Sequence, residues 1–250
     1  MLKKRIIPTL LMKNMGLVKD VGFKSARRVG SILPQIKIYN LREVDELIIL
    51  DITATISKNE IDFNEIAEFA KYNFVPLTIG GGIKKLKQIE KLLSIGADKI
   101  SINTISYYDD KFIKEAVYNF GSQCIVGSID YRLIENKRIC FSHSGQKNEN
   151  KELENWISEL EQLGVGELLI TPINLDGTMN GYDIEMLEKI ATKASLPIIC
   201  SGGCGSYEDM LKAIKAGSDG VAAASIFHFT ELTPYGAKLF LSEHNIPIRS

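Results

Sequence analysis

Carboxylates at the ends of apolar runs are the residues best placed for chemistry in this sequence. Asp51 closes ELIILD (46–51), Asp130 closes QCIVGSID (123–130), and Asp176 lies in NLDGT just after ELLITPI (167–173). A carboxylate in such a place can transfer a proton or hold a ligand hydroxyl. Loop capping is the simpler role for Asp176, which precedes Gly177. It explains Asp51 and Asp130 less well, because an unpaired acid on an apolar strand is costly. RIIPTLLMKN (5–14) resembles IVGSIDYR (125–132) in construction, yet at its handover to a polar loop it carries Leu11 instead of an acid. Lys19 follows in a long connection, 11 to about 30, of the length expected for a mobile lid.

A second group of residues suits anions. Gly80, Gly81 and Gly82 follow VPLTIG (75–80), and ISINT (100–104) supplies Asn103 and Thr104. Glycines let a backbone approach a ligand closely and leave N–H groups free for an anion. The same pattern returns as Ser201, Gly202 and Gly203, then Ala224 and Ser225. Tight turns alone would account for one such loop. Two of them favour a ligand with a phosphate at each end.

These residues need a scaffold. Eight short apolar runs recur: 5–10, 46–51, 75–80, 99–103, 123–130, 167–173, 196–202 and 220–225. Most are continuously apolar, as parallel strands buried on both faces are. Amphipathic segments at 63–73, 86–96, 152–164, 183–194 and 207–217 read as helices between them, and Gly96 suits a helix C′ position. The order predicts an α/β protein, a single (β/α)8 TIM barrel spanning 1–250. The alternative, a doubly wound open sheet, would carry a Gly-rich dinucleotide loop after the first strand, and none is seen. EVDELIILDI (43–52) aligns with GVGELLITPI (164–173), VPLTIGGGI (75–83) with LPIICSGGC (196–204), and IGADKISINT (95–104) with AGSDGVAAAS (216–225). All three pairs share an offset of 121 residues. The chain therefore reads as two half-barrels, about 1–120 and 121–250, with one set of donors in each half at the C-terminal face.

Composition narrows the function. A net charge of −1 gives no electrostatic case for nucleic acid or membrane surfaces. Basic residues cluster early (Lys3, Lys4, Arg5, Lys13, Lys19, Lys24, Arg27, Arg28), which suits an acidic small molecule. No apolar run reaches 18 residues, and no signal segment is evident, so a cytoplasmic protein is expected. Cys124, Cys140, Cys200 and Cys204 form no CxxC motif. Cys124 and Cys200 sit in apolar runs and are expected to be buried free thiols. His143, His228 and His244 have no metal-ligand spacing, so neither metal nor cofactor is expected. Arg5, Glu46, Lys99 and Glu167 begin four of the strands and would ring the bottom of the barrel. Their spacing alone favours a salt-bridged plug, since bottom-face residues usually serve stability.

The chain resembles the HisF family, the cyclase subunit of imidazole glycerol phosphate synthase. The resemblance runs through RIIP (5–8), LDIT (50–53), PLTIGGGI (76–83), ADKISINT (97–104), FGSQC (120–124), DGT (176–178), GYD (181–183) and SIFHF (225–229). It implies a (β/α)8 barrel with a phosphate site in each half and a HisH-like glutaminase as heterodimer partner. Ammonia made there would enter through a gate at Arg5, Glu46, Lys99 and Glu167, which replaces the plug reading. Asp98 matches a position at the glutaminase interface. Ligand contacts would fall to Lys19, Asp51, Gly81, Gly82, Asn103, Thr104, Thr171, Asp176, Gly177, Ser201, Gly202, Gly203, Ala224 and Ser225.

One position departs from the pattern. The family's cyclisation relies on two aspartates, one after strand one and one after strand five. Asp130 matches the second and Leu11 stands at the first, so two-carboxylate acid/base chemistry is not available. TLLMKNMGLVKDV also resembles a divergent HisF-like branch of bacterial surface-glycan gene clusters, where ammonia serves a separate amidotransferase that builds an acetamidino sugar. Leu11 with an intact gate favours that role. The alternative is the histidine-pathway cyclase, converting the ribulosyl aminoimidazole-carboxamide nucleotide (PRFAR) to imidazole glycerol phosphate and an aminoimidazole ribotide (AICAR). A third reading is a silent scaffold that activates the glutaminase.

Overall fold

The computed structural model describes residues 3–14, 16–24, 26–57 and 60–249. In chain order the strands are β1 (Arg5–Lys13), β2 (Gly16–Lys19), β3 (Arg27–Ser31), β4 (Leu47–Asp51), β5 (Leu77–Gly80), β6 (Lys99–Ile102), β7 (Ile125–Ile134), β8 (Lys137–Ser142), β9 (Lys147–Glu152), β10 (Glu167–Pro172), β11 (Ile198–Cys200) and β12 (Gly220–Ala223). The helices are α1 (Ile32–Leu41), α2 (Ala54–Ser57), α3 (Phe63–Lys71), α4 (Leu86–Ser94), α5 (Asp110–Phe120), α6 (Leu153–Leu163), α7 (Ile184–Ala191), α8 (Tyr207–Lys215), α9 (Ser225–Phe229) and α10 (Pro234–Glu243).

Eight of the strands pair in parallel around a closed circuit, β1–β4–β5–β6–β7–β10–β11–β12 and back to β1. These are the eight apolar runs, so the (β/α)8 barrel expected from the sequence is the fold. Helices form where local chemistry starts and stops them. Asp62 accepts from the N–H groups of Asn64 and Glu65 at the start of α3, and Asp183 accepts from Met186 at the start of α7. Gly96, with φ +113°, follows the end of α4, and Gly164 is left-handed at the end of α6. Ile66 and Phe69 of α3, and Ile89 and Leu92 of α4, turn inward onto the strands. Burying each such side chain stabilises the fold by about 1.5–3 kcal/mol.

Two apolar layers result. The larger lies between strands and helices. The smaller fills the barrel itself with Ile7, Ile48, Val126, Leu169, Ile199 and Ala222. Ile48 and Leu169 are related by the 121-residue offset, so the repeat continues into the interior.

Several elements differ from the sequence expectation. The connection after β1 is not a plain loop: β2 pairs antiparallel with β1, and β3 with β2, making a ribbon. β7 runs on to Ile134 and turns back through β8 and β9 as a three-stranded antiparallel extension. Helices α1, α2, α5, α9 and α10 add to the five expected. Cys124 is only half-buried, because it ends a short 3-10 turn before β7 instead of lying within the strand. Cys200 is buried as expected, and all four thiols are free. Among the described residues no helix is long and apolar enough to cross a membrane.

Candidate functional site

Strand alternation builds the site. Side chains two residues apart on a strand share a face, so each barrel strand sends a column of alternate residues inward. On β1 the column is Arg5, Ile7, Thr9 and Leu11; on β6 and just beyond it is Lys99, Ser101 and Asn103. β7 gives Val126, Ser128 and Asp130, and β10 gives Glu167, Leu169 and Thr171. The middle of each column feeds the inner apolar layer or its polar continuation. The C-terminal ends open into one cavity of about 270 Å3.

Apart from Gly80, every ligand-site residue singled out in the sequence lines this cavity; Gly80 ends β5, and a Cβ on it would meet the Leu50 and Ser101 side chains at 2.7 and 2.9 Å. Leu11, Lys19, Asp51, Asn103, Thr104 and Asp130 do so, as do Gly81 and Gly82. From the second half come Thr171, Asp176, Gly177, Ser201, Gly202, Gly203, Ala224 and Ser225. The glycine loops use their freedom. Gly81 has φ +106°, and a Cβ there would meet Asp51 O at 2.2 Å. Gly203 has φ +103°, and a Cβ there would meet Gly181 O at 2.0 Å. Either loop is closed to other residues without backbone movement.

The acids differ in their engagement. Asp51 Oδ1 accepts from Thr53 N (2.8 Å), Thr53 Oγ1 (2.9 Å) and Ala54 N (3.0 Å), so it caps the short α2 while edging the cavity. Its structural role is therefore larger than the sequence suggested. Asp130 accepts at Oδ2 from Asn103 Nδ2 over 2.7 Å. Burial, with a further push from the Asp176 charge, raises its carboxyl to about 7. Asp176 rises to about 6, mainly through burial and then through Asp20, with Lys19 pulling the other way. Lys19 is not solvated: its ammonium donates to Thr9 O at 3.1 Å, and burial brings it down to about 7 against the pull of Asp176 and Asp20. Three groups that exchange protons near neutrality thus face one cavity, the range in which general acid–base groups work. Leu11 brings no such group; it pairs with Val18 on β2 and Leu50 on β4 in an apolar wall.

At the opposite end the four charges meet. Arg5 contacts Glu46 at 3.1 Å and Glu167 at 2.6 Å; Lys99 contacts Glu46 at 3.0 Å and Glu167 at 2.8 Å. The result is a closed ring of alternating sign across the barrel floor, with Arg249 3.5 Å from Glu46. Desolvation by burial opposes the charged forms of Arg5 and Glu46, and the ring's opposite charges and hydrogen bonds outweigh it, holding Arg5 charged and Glu46 ionised. Asp98 lies beside this ring, exposed, its Oδ2 accepting from Leu77 N at 2.8 Å.

Further cavity residues escaped the sequence reading. Ser128 was visible in principle, two residues before Asp130 on the same strand face. Asp20, Phe23, Ser144 and Gln146 were not, since they arrive on the β1–β3 ribbon and the β8–β9 turn. Those two meet over the cavity, where Ser144 Oγ donates to Ile52 O at 2.8 Å and a Cβ on Gly145 would lie 3.0 Å from Phe23. Among the described residues no group of three or more His, Cys, Asp or Glu could hold a metal ion.

Comparison with known proteins places these features in context. Residues 5–233 match the family described as "Histidine biosynthesis protein". The chain is 46% identical over 249 residues to the Campylobacter jejuni protein named "Putative imidazole glycerol phosphate synthase subunit hisF2", covering 100% of this chain and 99% of that one. It is 39% identical to the imidazole glycerol phosphate synthase subunit HisF of Chlorobium phaeobacteroides and 38% identical to that of Chlorobaculum tepidum, each over the full length of both chains.

Proposed function

This chain belongs to the histidine biosynthesis protein family, and from that premise we propose that it is a HisF-type synthase subunit that takes up ammonia from a HisH-like glutaminase and delivers it to its upper cavity. Two of the relatives above are named as subunits of imidazole glycerol phosphate synthase, and the third as a "putative" one, which supports a role for this chain as one subunit of a synthase. In this reading the ring of Arg5, Glu46, Lys99 and Glu167 is the ammonia entrance, drawn in its closed state. Asp98 belongs to the glutaminase contact. The loops at Gly81–Gly82 and Gly202–Gly203, with Asn103, Thr104, Ala224 and Ser225, hold phosphates at the two ends of the ligand. Lys19, Asp51, Thr171, Asp176, Gly177 and Ser201 surround its middle.

Leu11 carries the finer reading. It fills one of the two positions at which the cyclase chemistry needs an acid, in a cavity otherwise equipped for proton exchange. Loss of one positioned acid or base lowers a rate by about 10²–10⁴-fold. The ammonia then serves a second acceptor, amidination of a surface-glycan sugar by a partner amidotransferase. A second reading, the histidine-pathway cyclase, is favoured by Asp130 with its raised proton affinity and by both phosphate loops.

The two readings separate in one assay. The purified protein is mixed with PRFAR and an ammonium salt, and again with a HisH-like glutaminase and glutamine. The glycan reading expects glutaminase activation with PRFAR turnover at least about 10²-fold below that of a two-aspartate cyclase. Turnover equal to such a cyclase would leave the histidine-pathway reading in its place.

A further inference from the structure

Asp20 lines the upper cavity, yet nothing in the scaffold uses its carboxylate fully. Its Oδ1 is buried without a hydrogen-bond partner among the described residues. The neighbouring acids are committed: Asp51 to the start of α2, and Asp130 to Asn103. Lys19, next in sequence, gives its hydrogen bond to Thr9 O. Buried acceptors are nearly always satisfied, so an orphaned one on a cavity wall calls for a donor from the occupant.

Main-chain packing holds Asp20 in place, and the one scaffold donor toward its carboxylate is the backbone of Phe23. Gly22 N donates to Asp176 O at 2.9 Å. Gly177 lies so close that a Cβ there would be 2.1 Å from Asp20 O. The ribbon is therefore pressed onto the 176–177 loop by main-chain packing, and this packing delivers the side chain at residue 20 to the cavity. Asp20 also stands two residues beyond Val18, the cross-strand partner of Leu11. Two residues of strand span roughly 7 Å, so its carboxylate comes in near the apolar wall where position 11 brings no acceptor.

We infer that Asp20 is a ligand-contacting residue of this cavity, its carboxylate accepting a hydrogen bond from a hydroxyl or protonated nitrogen in the middle of the bound phosphorylated molecule. The inference rests on the reading that the cavity holds such a molecule. It assigns the cavity two kinds of recognition: glycine loops for the phosphates, and Asp20 for a donor between them. Leu11 and Asp20 are then complementary features of one specificity, an apolar wall beside a displaced acceptor.

The test uses the full chain with Asp20→Asn and Asp20→Ala, two probes and one melting experiment. Inorganic phosphate, which needs only the glycine loops, should bind all three proteins alike in calorimetric titration. PRFAR, which carries hydroxyls between two phosphates, should bind both variants about 10- to 100-fold more weakly than the parent. The unliganded Asp20→Asn protein should melt no lower than the parent, because its amide oxygen can still accept from the Phe23 backbone while Oδ1 had no partner to lose. Unchanged PRFAR affinity overturns the inference, and so does a melting temperature several degrees lower in both variants, which would make Asp20 a structural residue. Failure of the parent to bind PRFAR also overturns it. Phosphate binding in that case leaves the phosphate-cavity reading standing, whereas failure of both probes removes that reading as well.

Discussion

Asn103 Nδ2 lies 2.7 Å from Asp130 Oδ2 and donates to it, joining the end of the fourth barrel strand to the end of the fifth across the cavity wall. The bond favours the ionised carboxylate, while burial and the Asp176 charge favour the protonated one and prevail, leaving Asp130 at about 7. A pH-dependent stability follows. The unfolded chain ionises this group near 3.8 and the native protein only near 7, so its contribution to stability falls as pH rises between those values and is level above them. At about 1.4 kcal/mol per unit the full effect is at most about 4 kcal/mol. Asp130→Asn should therefore gain roughly 2–4 kcal/mol on the parent at pH 8 relative to pH 4, read from urea midpoints at the two pH values. An equal difference at both would show that Asp130 titrates normally.

Leu11→Asp tests the missing acid. The substitution puts a carboxylate at the mouth of β1, where Leu11 is only partly buried, so folding should survive with a cost of about 1–3 kcal/mol. PRFAR turnover with ammonium salt should rise, by up to the 10²–10⁴-fold that one positioned acid typically supplies. No rise in a folded variant would mean that more than position 11 separates this cavity from a cyclase.

Lys99→Ala tests the floor. Lys99 bridges Glu46 and Glu167, and its side chain is 18% exposed. Breaking a buried pair costs about 3–5 kcal/mol. Here partial exposure and the remaining Arg5 contacts reduce the expected loss to about 2 kcal/mol, measurable as a fall in melting temperature. If the ring is the ammonia entrance, glutamine-driven transfer should change while ammonium-driven turnover does not. Equal effects on both would make the ring a structural plug.

Gly81→Ala tests the phosphate role proposed for the loop at Gly81–Gly82. The added methyl would lie 2.2 Å from Asp51 O at a φ of +106°, so the loop must move. Strain of about 1–3 kcal/mol is expected, with inorganic phosphate affinity falling at this loop and unchanged at Gly202–Gly203. A variant that melts and binds like the parent would show that the loop can be rebuilt at no cost.

Much of this molecule follows from local pattern. Continuous apolar runs gave away the eight strands because a strand buried on both faces has no polar side to show. The 121-residue offset exposed the paired glycine loops, since glycine at positive φ is dictated by backbone geometry within a few residues. Once the strands are placed, period-two alternation puts Lys99, Ser101 and Asn103, or Arg5, Thr9 and Leu11, in single inward columns. The sequence by itself therefore determined the barrel, the residues at its two ends and the absence of an acid at position 11. Tertiary structure alone decided what those residues touch. Glu46 and Glu167 lie 121 residues apart and share both Arg5 and Lys99, a ring that exists only when the sheet closes. Lys19, polar and on a connection, reads as solvated until the ribbon buries it and shifts its proton affinity. Asp20 depends on main-chain packing against a loop more than 150 residues away, and charge, burial and orphaned acceptors of that kind are properties of space that no local spacing encodes.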